Sequence, residues 1–174
     1  MSTTEIVYLP EDPAHDPAIE EINAEAFGPG RYTRAAYRIR EGGPHDMALS
    51  FVAVTSAGEI VGSVRMTHVS AGAGAALLLG PLAVRPAHKN VGIGRKLVQL
   101  AIEAAKEAGQ SAVLLVGDAP YYGPLGFATL PHGQILMPGP VDPHRLLGHE
   151  MTEGALAALK GPLVHRNLAG RVRA

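Results

Sequence analysis

The chain contains no cysteine. That excludes disulfides, thiolate metal ligands and a cysteine nucleophile. Tryptophan is also absent and aromatic residues make up only 5%, so the core has to be assembled from Leu, Val, Ile and Ala. There is no excess of positive charge. The formal net charge is −1, which leaves no overall field to hold a nucleic-acid backbone. Long apolar runs are missing too. Leu77–Leu79 and Ala112–Val116 are far short of the roughly 20 residues that span a bilayer. The segment Met1-Ser2-Thr3-Thr4-Glu5 lacks the basic region and apolar run of a secretory leader. A cytoplasmic protein with no membrane partner is expected.

What is present is an ordinary globular balance of 47% hydrophobic and 18% charged residues in 174. One domain over residues 1–174 is expected. The eight histidines include no H-x-x-x-H pair and no metal site is expected. No serine sits in a G-x-S-x-G context, which argues against a hydrolase elbow.

Periodicity predicts an α/β chain. A strand is expected at Glu5–Leu9, then a helix capped by Asp16 and running to Phe27, and a second helix at Thr33–Arg40. Strands follow at Met47–Thr55 and Ile60–Val69, joined by a hairpin turn at Ser56–Glu59. A loop at Ser70–Gly74 leads to a strand at Ala75–Val84. The clearest helix is Gly94–Ala108, stopped by Gly109. Ala112–Val116 reads as a buried strand. Weaker signals place a short helix at Tyr121–Leu125, strands near Phe127–Leu130 and Arg145–Met151, and a short helix at Glu153–Leu159.

The chemistry concentrates in Leu82-Ala83-Val84-Arg85-Pro86-Ala87-His88-Lys89-Asn90-Val91-Gly92-Ile93-Gly94-Arg95-Lys96, a strand, a loop and a helix start. Free N–H groups at a helix start bind anions, and glycines let the backbone approach closely. Lys89, Arg95 and Lys96 add positive charge, so a phosphate or pyrophosphate is the expected ligand. The dinucleotide fingerprint fails because Leu97 stands where its third glycine belongs, and no G-x-x-x-x-G-K-[ST] string occurs. Alternatively, the two glycines merely turn the chain into a helix. Gly80-Pro81 interrupts an apolar strand. It marks either a bulge that splays the strand from Ala112–Val116, leaving Leu82–Val84 unpaired, or a plain edge.

The loop resembles that of the GNAT superfamily of N-acetyltransferases, whose signature [Q/R]-x-x-G-x-[G/A] reads here Lys89-Asn90-Val91-Gly92-Ile93-Gly94. Lys89 is the departure, since Gln or Arg is usual there. A second segment, Tyr121-Tyr122-Gly123-Pro124-Leu125-Gly126-Phe127, is similar to one in a bacterial subgroup. The resemblance implies the acyl-CoA N-acyltransferase fold: an α/β (α+β) structure whose mixed, largely antiparallel sheet has a V-shaped splay and flanking helices. It implies acetyl-CoA as co-substrate, without metal, and direct transfer to a primary amine in a ternary complex. It places the thioester arm on Leu82, Ala83 and Val84. The pyrophosphate falls on Lys89, Asn90, Val91, Gly92, Ile93, Gly94, Arg95 and Lys96. Tyr122 becomes the general acid, although Tyr121 and Tyr122 also read as packing residues under the loop. Base candidates are Glu25, His68 and Asp118, with Asp118 at the end of the strand beyond the splay. The acceptor, a small-molecule or peptide amine, carries no motif, and a homodimer is only a family-level expectation. A non-catalytic acyl-CoA-binding module and an unrelated phosphate-binding α/β enzyme remain alternatives.

Overall fold

A computed structural model of the chain describes residues 5–169. Met1–Thr4, read above for a leader, lie outside the described residues. The elements follow in the order β1 (Ile6–Pro10), α1 (Asp16–Phe27), α2 (Ala35–Arg40), β2 (Phe51–Thr55), β3 (Ile60–Ala71), β4 (Gly74–Val84), α3 (Ile93–Glu107), β5 (Ala112–Val116), α4 (Ala119–Tyr122), β6 (Ala128–Thr129), β7 (Ile135–Leu136), β8 (Leu146–Glu150) and β9 (Gly161–His165).

Seven strands form one sheet in the order β1-β2-β3-β4-β5-β8-β6, with β9 joined to β3 and β7 to β9. Only β4/β5 and β7/β9 run parallel; the other pairs are antiparallel. The expected mixed, largely antiparallel sheet is therefore observed. Strand alternation divides the core in two. Leu77, Leu79, Val113 and Leu115 pack with Leu97, Val98, Ala101 and Ala105 of α3. Leu78 and Leu114 face the other way, with Ile39 of α2.

Several sequence expectations are corrected. Residues 152–158 form hydrogen-bonded turns rather than a helix at Glu153–Leu159. Gly154, at φ +85°, is poorly suited to helix. Helix α1 starts at Asp16 itself after His15, and the capping carboxylate is Asp12, which accepts the Ala14 N–H of the preceding 3₁₀ turn at 2.8 Å. Thr33 closes another 3₁₀ turn, so α2 starts at Ala35. Met47–Leu49 is a 3₁₀ turn, started by Asp46, ahead of β2. The Ser70–Gly74 loop shrinks to a tight turn because β3 and β4 stay paired out to Ala71 and Gly74. The two-residue β7 and the strand β9 had no legible pattern.

The feature that positions the site is where β4 leaves β5. The two pair only at Leu77↔Val113 and Leu78↔Leu114. Beyond that, β4 keeps β3 on one side, with Leu82, Ala83 and Val84 opposite Val64, Ser63 and Gly62. Strand β5 keeps β8 as far as Val116↔Leu146. Between Leu79 and Leu82 the β3/β4 register gains one residue on β4. This is a bulge at Gly80-Pro81, where Gly80 takes φ +128°, and it bends the strand away. Among the described residues, one edge of Leu82–Val84 is left without a strand partner.

Candidate active site

A cleft of about 540 Å³ opens at this divergence. Its walls include Leu79–Leu82 of β4, Leu115–Val116 and Asp118 after β5, Tyr121 and Tyr122 of α4, and Asn23, Tyr37 and Arg40 from the α1–α2 side.

On the donor side, residues Lys89 to Gly92 are exposed. Asn90 and Gly92 both hold positive φ, +65° and +90°, so the backbone turns left-handed twice before α3. No side chain caps the N-terminus of α3, which leaves its first N–H groups free for an anion. Arg95 and Lys96 are exposed beside it, while Ile93 is buried in the core and holds the loop to the sheet. Ile93 and the buried Ala83 can therefore contribute backbone groups only. The Tyr121 hydroxyl closes the space over Gly94, where a Cβ would lie 2.9 Å from it.

The Tyr122 ring packs edge-on against Tyr121 and Phe127, with centroids 4.7 and 5.9 Å away, and against Gly117. Burial, then the neighbouring Tyr121 and Asp118, push its phenol up to about 12. It is therefore protonated throughout the physiological range.

The three base candidates separate. Glu25 lies 3.7 Å from Arg85 Nη1, in a cluster with Glu21 and Glu59, and does not line the cleft. His68 meets Asp46 at 2.8 Å and lines a different hollow, with Ser70 and Gln110. Only Asp118 of the three lines the cleft, and there its Oδ1 accepts from Arg145 Nε at 3.1 Å. Among the described residues no group of three or more His, Asp or Glu side chains is arranged to hold a metal ion. No helix among them is long and apolar enough to cross a membrane.

Sequence reasoning missed Arg40, whose guanidinium lies against the bulge: a Cβ on Gly80 would sit 2.6 Å from Arg40 Nη2. Only the absence of a side chain at Gly80 in an otherwise apolar strand hinted at a close approach.

A splayed β4/β5 pair, an uncapped glycine loop leading into α3 and a tyrosine-bearing turn after β5 together define an acyl-CoA N-acyltransferase. Residues 17–127 match the Acetyltransferase (GNAT) family. The chain belongs to that family, and membership makes it an N-acetyltransferase with acetyl-CoA as donor. The N-acetyltransferase YhbS of Escherichia coli (strain K12) is 26% identical over 153 residues, covering 87% of this chain and 90% of YhbS. The crystal structure of E. coli YhbS in complex with CoA superposes with a TM-score of 0.79 at 22% identity, over 95% of this chain and 92% of that one. A GNAT family acetyltransferase from Brucella melitensis in complex with acetyl-CoA gives 0.60 at 27% identity, over 84% and 97%.

Proposed function

We propose that the chain, as a single domain acting in the cytoplasm, transfers an acetyl group directly from acetyl-CoA to a primary amine while both are bound. The observation that supports this best is the unpaired edge of Leu82–Val84 between the α3 loop and Tyr122. An extended pantetheine arm can add to such an edge as a further strand. The pyrophosphate then lies on the loop from Lys89 through Asn90, Val91, Gly92, Ile93 and Gly94 to Arg95 and Lys96. Lys89 supplies a point charge where the family pattern has Gln or Arg. The CoA in the YhbS crystal structure and the acetyl-CoA in that from Brucella melitensis support a CoA donor.

In the reaction the neutral amine nitrogen attacks the thioester carbonyl carbon. The N–H near Leu82 polarises the carbonyl oxygen. The C–N bond forms, the C–S bond breaks, and Tyr122 donates its proton to the departing thiolate. The proton released by the amine returns to solvent or to Tyr122, leaving an amide and free CoA. A resting phenol near 12 against a thiol near 8.5 makes full transfer uphill by about 5 kcal/mol. Tyr122 therefore acts first as a hydrogen-bond donor and yields its proton late, as charge builds on sulfur. Asp118 is the base candidate within the cleft. A lysine-type amine needs such help, since neutralising it at pH 7 costs roughly 4.6 kcal/mol, whereas an α-amine near 7.8 costs only about 1 kcal/mol.

Isothermal titration with acetyl-CoA, followed by a thiol-release screen over small amines and peptides, tests this reading. Micromolar binding with thiol release for some amine is expected. Folded protein that binds no acetyl-CoA at millimolar concentration overturns it. Binding without release from any amine would favour a non-catalytic acyl-CoA module.

A further inference from the structure

The cleft also contains polar atoms buried with nothing to bind. Among the described residues, seven buried side-chain nitrogen or oxygen atoms have no hydrogen-bond partner. Three of them, Asn23 Oδ1, Arg31 Nε and Arg40 Nε, belong to residues lining this one cleft. Buried polar groups are almost always satisfied, so three orphans among the residues of one cleft point to a missing partner.

The charge balance points the same way. Arg31, Arg34, Arg40 and Arg145 line the cleft against Asp118 and Asp142, two more positive groups than negative. The arginines are not equivalent. Arg145 is held by Asp118, Arg34 lies 5.2 Å over the Phe27 ring, and Arg31 donates to Gly28 O and the Tyr32 hydroxyl, each at 2.7 Å. Asp142 is engaged by the His144 N–H. Arg40 is left. The groups whose charge bears on it are Tyr37 and Arg65, neither of them a carboxylate. Arg65 itself is saturated by Glu11, Asp16 and Glu20. Burial lowers the Arg40 guanidinium to about 10, so it is still charged at neutral pH.

Such a cation calls for an anion brought by a ligand. A single guanidinium offers a flat fork that matches the two oxygens of a carboxylate. The cleft offers this one unpartnered guanidinium together with apolar Leu79, Leu115 and Val116, not the several free cations that a phosphate dianion calls for. Arg40 touches Gly80, two residues before the Leu82 N–H assigned to the thioester. An anion held there sits against the same stretch of β4 as the proposed thioester site. We propose that the acceptor is a small amine that also carries a carboxylate close to its amino group, and that Arg40 receives this carboxylate beside Gly80. This rests on the acetyl-transfer reading above and names its substrate class.

The test compares amino acids with their own amides as acceptors in the thiol-release assay, together with phosphoethanolamine, in wild type and Arg40→Met. A KM at least ~10-fold lower for the acid than for its amide is expected in wild type, and the variant should erase that preference. The melting temperature of Arg40→Met should equal or exceed that of wild type, since an uncompensated buried charge is removed. Equal KM for acid and amide in wild type, or preference for the phosphate, overturns the inference and leaves acetyl transfer standing. So does a uniform fall in kcat for both acceptors with KM unmoved, which would put Arg40 on the thioester. A marked drop in melting temperature would make Arg40 structural and overturn it as well. If acetyl-CoA binds but no amine is turned over, the acetyl-transfer reading fails separately. The Arg40 side-chain Nε–H resonance of the CoA-loaded protein, titrated with the same amino acids, then decides. A shift absent with the amides supports the site, and no shift overturns it.

Discussion

Tyr122 shows what a single environment does to a residue. In the proposed mechanism, removing its hydroxyl removes the donor to the leaving thiolate. Tyr122→Phe is expected to lower kcat by about 10²–10⁴-fold with little change in acetyl-CoA affinity, measured by steady-state kinetics and titration. Because burial holds the phenol up to about 12, deprotonation of Tyr122 contributes no activity loss at ordinary pH. The ratio of wild-type to variant kcat should stay flat from about pH 6 to 10. The position of Tyr122 was legible in the sequence through its spacing to Gly126-Phe127. Arg40 was not: it ends the six-residue α2, too short for a helical period to separate its faces. Only tertiary placement against Gly80 encloses it.

At the scale of elements, the strand–loop–helix unit was legible because its signals are local: glycines at fixed offsets, an amphipathic α3, an apolar β5. Gly92 at φ +90° carries the turn. Gly92→Ala puts a Cβ into a conformation that costs about 1–2 kcal/mol. Acetyl-CoA binding should weaken by about ten-fold with kcat little altered, as titration and kinetics would show. The α1 anchor was not legible. Glu11 is almost fully buried, accepts from Arg65 Nε at 2.8 Å and lies 2.5 Å from His45 Nε2, while Arg65 also reaches Asp16 and Glu20 of α1. These partners lie 34 and 54 residues from Glu11, beyond any window pattern. Burial alone would raise the Glu11 carboxyl, but the hydrogen bonds and charges of His45 and Arg65 outweigh it and hold it low. A depressed carboxylate stabilises the fold above its unfolded value, near 4.3, and that stability is lost as pH falls through the folded value. Glu11→Gln should lower stability at pH 7 by about 3 kcal/mol. In thermal melts, the gap to wild type should close below about pH 4.

For the whole molecule, the sequence conveyed class and sheet character because alternation and helix periods are strong from β2 to β5. Beyond Leu130 it faded. Strand β7 has two residues, too few for a period, and β9 is recognisable only by its partners. On the proposed placement the donor bridges strands that share both core clusters, so ligand binding should be felt throughout the sheet. At acetyl-CoA concentrations near 100 times Kd, the native state gains about 2.7 kcal/mol. A domain of this size should then melt roughly 5–10 °C higher, measurable by calorimetry with and without ligand.

Strand β9 sets an order of events. It pairs with β3 through Val69↔His165, Ser70↔Val164 and Ala71↔Leu163. The buried His165 donates from Nε2 to Pro44 O at 2.9 Å, bracing the stretch that follows Arg40. During synthesis, the loop, α3 and Tyr122 are made well before this brace exists. A nascent chain can assemble the half proposed to hold the donor while the far edge of β3 is still open. On the proposed reading, the acceptor half is braced only when residues 161–165 arrive, so substrate selection would follow donor binding in the growing polypeptide.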